Sequence, residues 1–379
     1  MNSLEQHTIS HLKFGLARMH YEAGERRDFL PDFVAHLQQN GAEIMLEDGY
    51  GSGMGYSQQD YLAASHQVRF GTAEEVFQQD YVLVLRCPSD AQIHLMRPGA
   101  CLISMLHYPT RPQRVKLLNQ LQLDAVSLDS LKDDTGRRLV ENLRSVAWNG
   151  IETAFNALAK IYPAPGFESP ERPPIRVTLL GAGAVGIQVV QAAARYGNTA
   201  WHRRLAEKGV PGVQVTTLEY DSTHSERIMR PILETTDILV DATQRPNPTV
   251  PVIPNAWVAW LPKHAVLLDL SVDPYDCTAT PPFVKGIEGV PQGNLDQYVF
   301  APDDPIFESI PTCFATTHRR HSVSCYSWPG IYPNACMELY GKQLAPILRT
   351  ILERGGMQNI RSHGRYFERA IARARLANN

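Results

Sequence analysis

The segment IRVTLLGAGAVGIQVVQAAARYG, residues 175–197, decides the fold of this chain. An apolar run at 177–180 predicts a buried strand, and a turn that contains Gly181, Gly183 and Gly186 follows it directly. The residues after the turn are small and apolar, as in a helix packed on a sheet. A strand, a glycine-rich turn and a helix in this order predict the first βα unit of a parallel α/β sheet.

Each glycine in this turn has its own mechanical reason. Gly181 permits the tight turn, Gly183 lets the backbone approach a pyrophosphate, and Gly186 lets the helix pack closely on the strand. The first N–H groups of the helix, around Ala184 and Val185, are then exposed to receive an anion. The segment therefore predicts a dinucleotide-binding site that includes all five residues.

An acid at the end of the next strand, VQVTTLEYD, is expected to accept hydrogen bonds from the adenosine ribose. Glu219 is the first candidate and Asp221 the second. Glu219 lies 33 positions after Gly186 (219 − 186), against about 20 in the usual motif, so TAWHRRLAEKGVPG is interpreted as an insertion. An acid here repels a 2′-phosphate and favours NAD over NADP, whereas Arg203 and Arg204 in the insertion keep NADP open.

Two more apolar runs, in DILVDATQRPNP and AVLLDLSVDPYD, predict further strands of the same sheet. Such sheets bind their ligand at the carboxyl ends of the strands, so Thr243 and Gln244 are predicted to contact the cofactor. Asp273 lies beyond its apolar run and is predicted to face the ligand. Asp269 lies inside the run and is interpreted as a hydrogen-bonded structural acid.

Strand and helix patterns also alternate over the first 135 residues, and five prolines between Pro163 and Pro174 mark a surface connection. We expect an α/β fold with two Rossmann-like domains, each with a parallel sheet, joined by long helices and enclosing an active cleft. Residues 1–145 plus 327–379 are expected to form the substrate and catalytic domain. Residues 146–326 are expected to form the dinucleotide-binding domain.

Composition excludes several classes of partner. The formal net charge of −3 gives no general attraction to nucleic acid or to an anionic membrane. The opening residues are too polar for a signal peptide, no apolar run is long enough to span a bilayer, and the six cysteines form no CxxC pair. We therefore expect a cytoplasmic protein with reduced thiols and no metal site. Whether the chain forms a homo-oligomer is left open.

His107 stands where the apolar run GACLISML ends, in the stretch MLHYP at 105–109. A histidine titrates near working pH and can move protons in catalysis. The residues alone equally allow a satisfied core histidine or a surface residue.

Six motifs, taken in chain order, resemble one known group of enzymes. They are FGLARMHYEAGERRDFLP, EDGYGSGMGYSQQDY, VLVLRCP, ISMLHYP, LLDLSVDPYDC and SWPGIYP. Together they resemble the alanine dehydrogenase and pyridine nucleotide transhydrogenase-domain superfamily, which includes lysine-forming saccharopine dehydrogenase. The resemblance implies hydride exchange between a nicotinamide and the α-carbon of an amino or imino acid.

The resemblance also implies roles for individual residues. Arg26 would bind the substrate carboxylate, His107 would transfer protons, and Asp273 would orient a water, an ammonium or the imidazole. Ser327 stands in the loop that ends the cofactor domain and would bind the cofactor. Arg86 replaces a lysine of the relatives, and because a guanidinium does not give up its proton, Arg86 would bind substrate rather than shuttle protons.

Two functions follow as alternatives. The first is an NAD-dependent amino acid or opine-type dehydrogenase whose partner is a small amino or keto acid, with no nucleic acid and no membrane. The second is a non-catalytic NAD(H)-binding sensor or partner subunit, which Arg86 and Ser327 in place of the usual residues would favour. A transhydrogenase component is disfavoured because no membrane segment is predicted.

Overall fold

The computed structural model describes residues 12–19, 22–219 and 222–376. The chain divides into two compact units. Unit 1 contains the residues up to Asn142 and those from Tyr332 onward, and unit 2 runs from Leu143 to Ile331. These borders lie three and five residues from the expected borders after 145 and 326.

Unit 1 is built on a six-stranded sheet in which every strand pair is parallel. Its strands are β1 (Leu12–Leu16), β2 (Ala42–Glu47), β3 (Arg69–Gly71), β4 (Tyr81–Arg86), β5 (Cys101–Met105) and β6 (Asp124–Ser127). They lie in the order β3-β2-β1-β4-β5-β6. All carboxyl ends therefore meet at one edge, and the order reverses between β1 and β4, where such sheets bind ligands.

Helices cover the strands of unit 1 and begin at recognisable signals. The first five are α1 (Pro31–Gln39), α2 (Gln58–Ala64), α3 (Ala73–Phe77), α4 (Asp90–Ile93) and α5 (Pro112–Gln120). Ser57 and Thr72 precede α2 and α3, and each forms a capping box with an acid three residues later. Proline opens α1 and α5, where its missing N–H costs nothing. The three-residue strand β3 and the one-turn helix α4 are too short to give a periodic pattern, and the sequence did not predict them.

Unit 2 has a second six-stranded sheet. Its strands are β7 (Ile175–Leu180), β8 (Val213–Leu218), β9 (Ile238–Asp241), β10 (Val266–Asp269), β11 (Val299–Phe300) and β12 (His321–Ser324). They lie in the order β11-β12-β10-β9-β7-β8, and the β11–β12 pair is antiparallel while the others are parallel. The predicted α/β fold with Rossmann-like parallel sheets is therefore confirmed.

The helices of unit 2 are α6 (Leu143–Ile161), α7 (Ala184–Ala193), α8 (Thr199–Glu207), α9 (Glu226–Leu233) and α10 (Asn255–Val258). Helix α8 is the insertion expected from the long spacing between the glycine turn and Glu219. It is capped by Asn198, whose side chain accepts the Trp201 N–H. The extra helix lengthens the connection from α7 to β8 without changing the parallel β7–β8 pair.

The chain finishes in unit 1 with α11 (Pro333–Glu353) and α12 (Tyr366–Ala374). Helix α11 packs on α1, and α12 packs on β6 with Ile371 fully buried. The basic residues Arg369 and Arg373 of α12 both pair with Asp134. Within the described ranges, no helix has the length and the apolar character needed to cross a membrane.

The expectation of reduced thiols throughout is wrong for one pair. Cys277 and Cys313 form a disulfide, although 36 residues separate them in sequence. Both lie in irregular segments between β10 and β12, so only the folding of those segments brings them together. The remaining thiols, of Cys87, Cys101, Cys325 and Cys336, are buried and reduced.

Candidate functional site

His107 lies just after β5, at the edge of the unit 1 sheet where the strands end. Its backbone is in the left-handed region, with φ of 51°, and it begins a short 3₁₀ turn. Asp129, which follows the neighbouring strand β6, accepts the backbone N–H of His107 at 3.0 Å. Its carboxylate also lies 3.5 Å from Nδ1 of the His107 ring. Asp129 therefore holds both the backbone and the imidazole of His107.

Burial and neighbouring charged groups shift the pKa values of both His107 and Asp129. Burial lowers the pKa of His107 below its usual value, and nearby arginines add to this effect, whereas the Asp129 carboxylate opposes it. Burial would raise the pKa of Asp129, but hydrogen bonds from the His107 N–H and from Ser127 Oγ at 2.7 Å keep that pKa low. The pair thus combines a carboxylate with an imidazole that is mainly neutral near pH 7 and able to accept a proton.

Arg86 is the last residue of β4, the strand beside β5. Its Nη2 donates to Oε1 of Glu22 at 2.6 Å, and both side chains are 27% exposed. The structure therefore brings Arg86 and His107 to the same edge of neighbouring strands. Sequence reasoning did not name Glu22, which lies in an irregular loop with no periodic signal.

The two adjacent arginines after β1 have different environments. Arg27 is 2% exposed, and its Nε and Nη2 bind the two oxygens of Glu25 at 2.8 and 2.5 Å. Arg26 is exposed. A Cβ added at Gly53 would lie 3.0 Å from Cβ of Arg26, so the glycine-rich loop packs directly on this residue. The arginine predicted to bind a carboxylate is thus the exposed one of the two.

The glycine turn of unit 2 has the geometry that the motif predicts. Gly181 has φ of 87°, and a Cβ added at Gly186 would lie 2.2 Å from the carbonyl oxygen of Gly181. Gly183 directly precedes α7, which begins with Ala184 and Val185, and has open space where a Cβ would stand. Gly181 and Gly186 are therefore required by the fold, whereas Gly183 leaves room for a ligand at the helix start.

Glu219 follows β8 and reaches this turn. Its Oε1 accepts the Ala182 N–H at 2.9 Å. Asp221, the second candidate, lies outside the described residues. Arg203 and Arg204 lie in α8, which precedes β8. Arg204 pairs with Glu168 at 3.3 Å. Glu168 belongs to the connection that precedes β7, whereas Glu219 follows the carboxyl end of β8, so Arg204 is engaged with an acid other than Glu219.

Thr243 stands after β9, beside the glycine turn. Its N–H and Oγ1 both donate to Oδ1 of the buried Asp241, at 3.0 and 2.6 Å. A Cβ added at Gly181 would lie 3.1 Å from Cα of Thr243, so the turn and the β9 loop are in contact. Gln244 next to it is exposed, and Ser327 is buried in the loop after β12.

Asp273, after β10, is held by an arginine that the sequence analysis did not single out. Nη2 and Nε of Arg245 donate to Oδ2 of Asp273 at 2.7 and 3.2 Å. The Arg245 side chain is 2% exposed and that of Asp273 is 35% exposed. The predicted catalytic carboxylate is thus part of an ion pair at the carboxyl edge of the unit 2 sheet.

Asp269 is a hydrogen-bonded structural acid, as its place inside an apolar run predicts. Its Oδ2 binds Nζ of the buried Lys285 at 2.6 Å and Oγ of Ser324 at 3.0 Å. Burial would raise the pKa of Asp269, but Lys285 lowers it. On the next strand, burial and the charge of Asp269 raise the pKa of Asp241 to about 6. No spacing pattern in the sequence could have indicated Lys285, 16 residues away.

A cavity of about 730 Å³ lies elsewhere in unit 1. It is lined at the amino ends of the strands by Leu12, Tyr81, Cys101 and Asp124, among others. It therefore lies at the edge of the sheet opposite to His107 and Arg86, and the predicted site does not coincide with it.

Comparisons with known proteins bear on the family resemblance and on the fold. Residues 21–148 match the family model for the alanine dehydrogenase/PNT N-terminal domain. The chain is 23% identical over 187 residues to NAD(P) transhydrogenase subunit alpha of Haemophilus influenzae, covering 48% of this chain and 36% of that protein. It is 23% identical over 282 residues to alanine dehydrogenase of Mycolicibacterium smegmatis, covering 65% of this chain and 69% of that one. The chain thus spans only about a third of the transhydrogenase subunit.

A solved structure named L-alanine dehydrogenase is similar over nearly the whole fold. Its TM-score is 0.70 at 17% sequence identity, and the match covers 96% of this chain and 94% of that one. The resemblance drawn from the sequence motifs is therefore confirmed: the chain has the fold of an alanine dehydrogenase, and residues 21–148 match the N-terminal domain that alanine dehydrogenases share with the pyridine nucleotide transhydrogenases.

Proposed function

We propose that this chain is an NAD-dependent oxidoreductase that acts on the CH–NH group of an amino acid or opine-type substrate. The observation that carries the proposal is the His107–Asp129 pair, which lies beside Arg86 at the carboxyl edge of a parallel sheet. A mainly neutral imidazole oriented by a carboxylate is suited to take a proton from a substrate amine or from water.

Unit 2 is proposed to hold the dinucleotide, which when bound supplies or accepts the hydride. The open space at Gly183 and the start of α7 suit a pyrophosphate, and Glu219 suits ribose hydroxyls. Glu219 would repel a 2′-phosphate, and Arg204 is already paired with Glu168. These features support NAD as the cofactor, with NADP less favoured.

Unit 1 is proposed to bind the substrate. The exposed Arg26 can form a bidentate pair with a carboxylate. Arg86 is ion-paired with Glu22, and this pair suits a polar or charged group on a larger acid. In unit 2, Asp273, which Arg245 holds, is proposed to bind the substrate amino group.

The experiment that tests the proposal is a screen of amino acids, and of keto acids with ammonia or amines, while NADH absorbance is followed. We expect turnover with at least one acid and its loss in His107→Ala, because the ring moves the proton. NADH binding should remain in that variant, since His107 belongs to unit 1. Retained turnover in His107→Ala would refute the role of this residue.

A second candidate is a non-catalytic NAD(H)-binding protein with the same fold. The observation that favours it is the pairing of Arg86 with Glu22, at a position where the resemblance implies a lysine. In this case NADH would bind with ordinary affinity while no amino or keto acid is turned over. Hydride transfer to a second nicotinamide nucleotide, without any acid, would instead favour a transhydrogenase component.

A further inference from the structure

The side chain of Arg245 is buried, and its guanidinium donates four hydrogen bonds. It donates to the carbonyl oxygens of Val250 and Val284 at 2.9 and 2.5 Å, and twice to Oδ2 of Asp273. Four hydrogen bonds fix the plane of the guanidinium, and burial of its side chain keeps water from competing. The orientation of Arg245 is thus set by the backbone of unit 2, and the orientation of Asp273 is set by Arg245.

The turn that carries Asp273 is fixed from its other side as well. Val272, directly before it, has φ of 57°, a strained value for a β-branched residue. Its N–H donates to Oδ1 of Asp269 at 2.9 Å, and Asp269 is itself held by Lys285. Strain of this kind persists only where surrounding contacts over-determine it, and it concentrates at functional sites. The backbone of Val272, directly before Asp273, and the carboxylate of Asp273 are therefore each held by a separate ion pair.

We propose that Arg245 is a positioning residue, which holds Oδ2 of Asp273 so that Oδ1 of the same carboxylate binds the amino group of the substrate. The inference rests on the proposed function. Both arginine contacts go to Oδ2, and the Asp273 side chain is 35% exposed although Arg245 is buried. Arg245 itself touches neither substrate nor cofactor and acts through Asp273.

The first test compares Arg245→Gln with a matched control, Arg320→Gln. Arg320 belongs to the same unit and donates to the carbonyls of Ala259, Leu261 and Pro262. We expect Arg245→Gln to lower kcat roughly tenfold or more, because displacement of a reacting group by about 1 Å has effects of this size. Its Kd for NADH should change less than about twofold, and Arg320→Gln should keep kcat. An unchanged or raised kcat in Arg245→Gln would overturn the proposal.

A double-mutant cycle separates positioning from general stability. In an Asp273→Asn background, Arg245→Gln should have little further effect on kcat, because the group that it positions is already altered. Arg245→Lys keeps the charge but loses the fork, so it should recover part of the activity. Independent, additive losses in the cycle would contradict the inference.

The last readout does not depend on turnover, and so separates this inference from the proposed function. Hydrogen–deuterium exchange of peptides covering 270–283 should quicken in Arg245→Gln and not in Arg320→Gln, with both variants folded by circular dichroism. If the native chain turns over no acid but this exchange quickens, the proposed function fails and the positioning contact stands. If exchange is unchanged, the positioning contact itself is refuted.

Discussion

At the scale of single residues, His107 depends on neighbours that act on its charge in opposite directions. Burial lowers the pKa of the ring, and the carboxylate of Asp129 raises it. A neutral ring is the form that accepts a proton, so removing the opposing carboxylate should extend that form to lower pH.

We predict that Asp129→Asn lowers the pKa of His107. The asparagine oxygen can still accept the His107 N–H, so the change removes charge and little else. NMR titration of the His107 ring proton would measure the midpoint, and Asp124→Asn, at the opposite end of β6, is the control. A midpoint that rises, or that moves equally in the control, would mean that Asp129 does not act on the ring. If the neutral ring is the active form, the acid limb of the pH–rate profile should move to lower pH with the midpoint.

The site residues differ in how visible they are in the sequence. His107, Asp273 and Glu219 each stand where an apolar run ends, so their positions at a sheet edge could be predicted. Their partners could not. Asp129 and Arg245 become relevant only because the loops after neighbouring strands meet, and Lys285 reaches Asp269 from a segment without regular structure.

At the scale of elements, the β7–turn–α7 unit contains glycines of two kinds. A Cβ at Gly186 would collide with the backbone of Gly181 at 2.2 Å, whereas a Cβ at Gly183 would meet nothing within 4 Å. Gly186 serves the packing of the helix on the strand, and Gly183 leaves space for a ligand.

We predict opposite outcomes for two substitutions in this turn. Gly186→Ala should destabilise the protein by about 1–3 kcal/mol, because backbone must move to admit the methyl group. Gly183→Ala should change stability by less than about 0.5 kcal/mol but weaken NADH binding. Urea unfolding and NADH fluorescence titration would measure both effects. If Gly183→Ala binds NADH as tightly as the native chain, the turn at Gly183 does not form part of the NADH site.

At the scale of the whole molecule, each unit has its own hydrophobic core. The core of unit 1 joins β1–β6 with α11 and α12, and the cores of unit 2 draw only on residues from 143 to 331. Ile371 of α12 is as buried as Leu83 of β4, so the end of the chain is part of the unit 1 core.

We predict that a fragment of residues 143–331 folds and binds NADH without the rest of the chain. Its cores are complete, and it contains the glycine turn, Glu219 and Thr243. Its affinity for NADH should lie within roughly tenfold of that of the whole chain, and it should catalyse no turnover because it lacks Arg26, Arg86 and His107. Calorimetric titration would measure the affinity, and a folded fragment that does not bind NADH would show that unit 2 is not the cofactor unit by itself.

The sequence by itself determined the class of fold and the place of the glycine turn between a strand and a helix. These features depend on residues close together in the chain, where periodicity and turn chemistry act locally. Only the tertiary structure decided the partners of the reactive groups: Asp129 for His107, Glu22 for Arg86, Arg245 for Asp273, and the Cys277–Cys313 disulfide. Each pair joins positions distant in sequence, and they meet only through the order of the strands or the folding of the irregular segments between them.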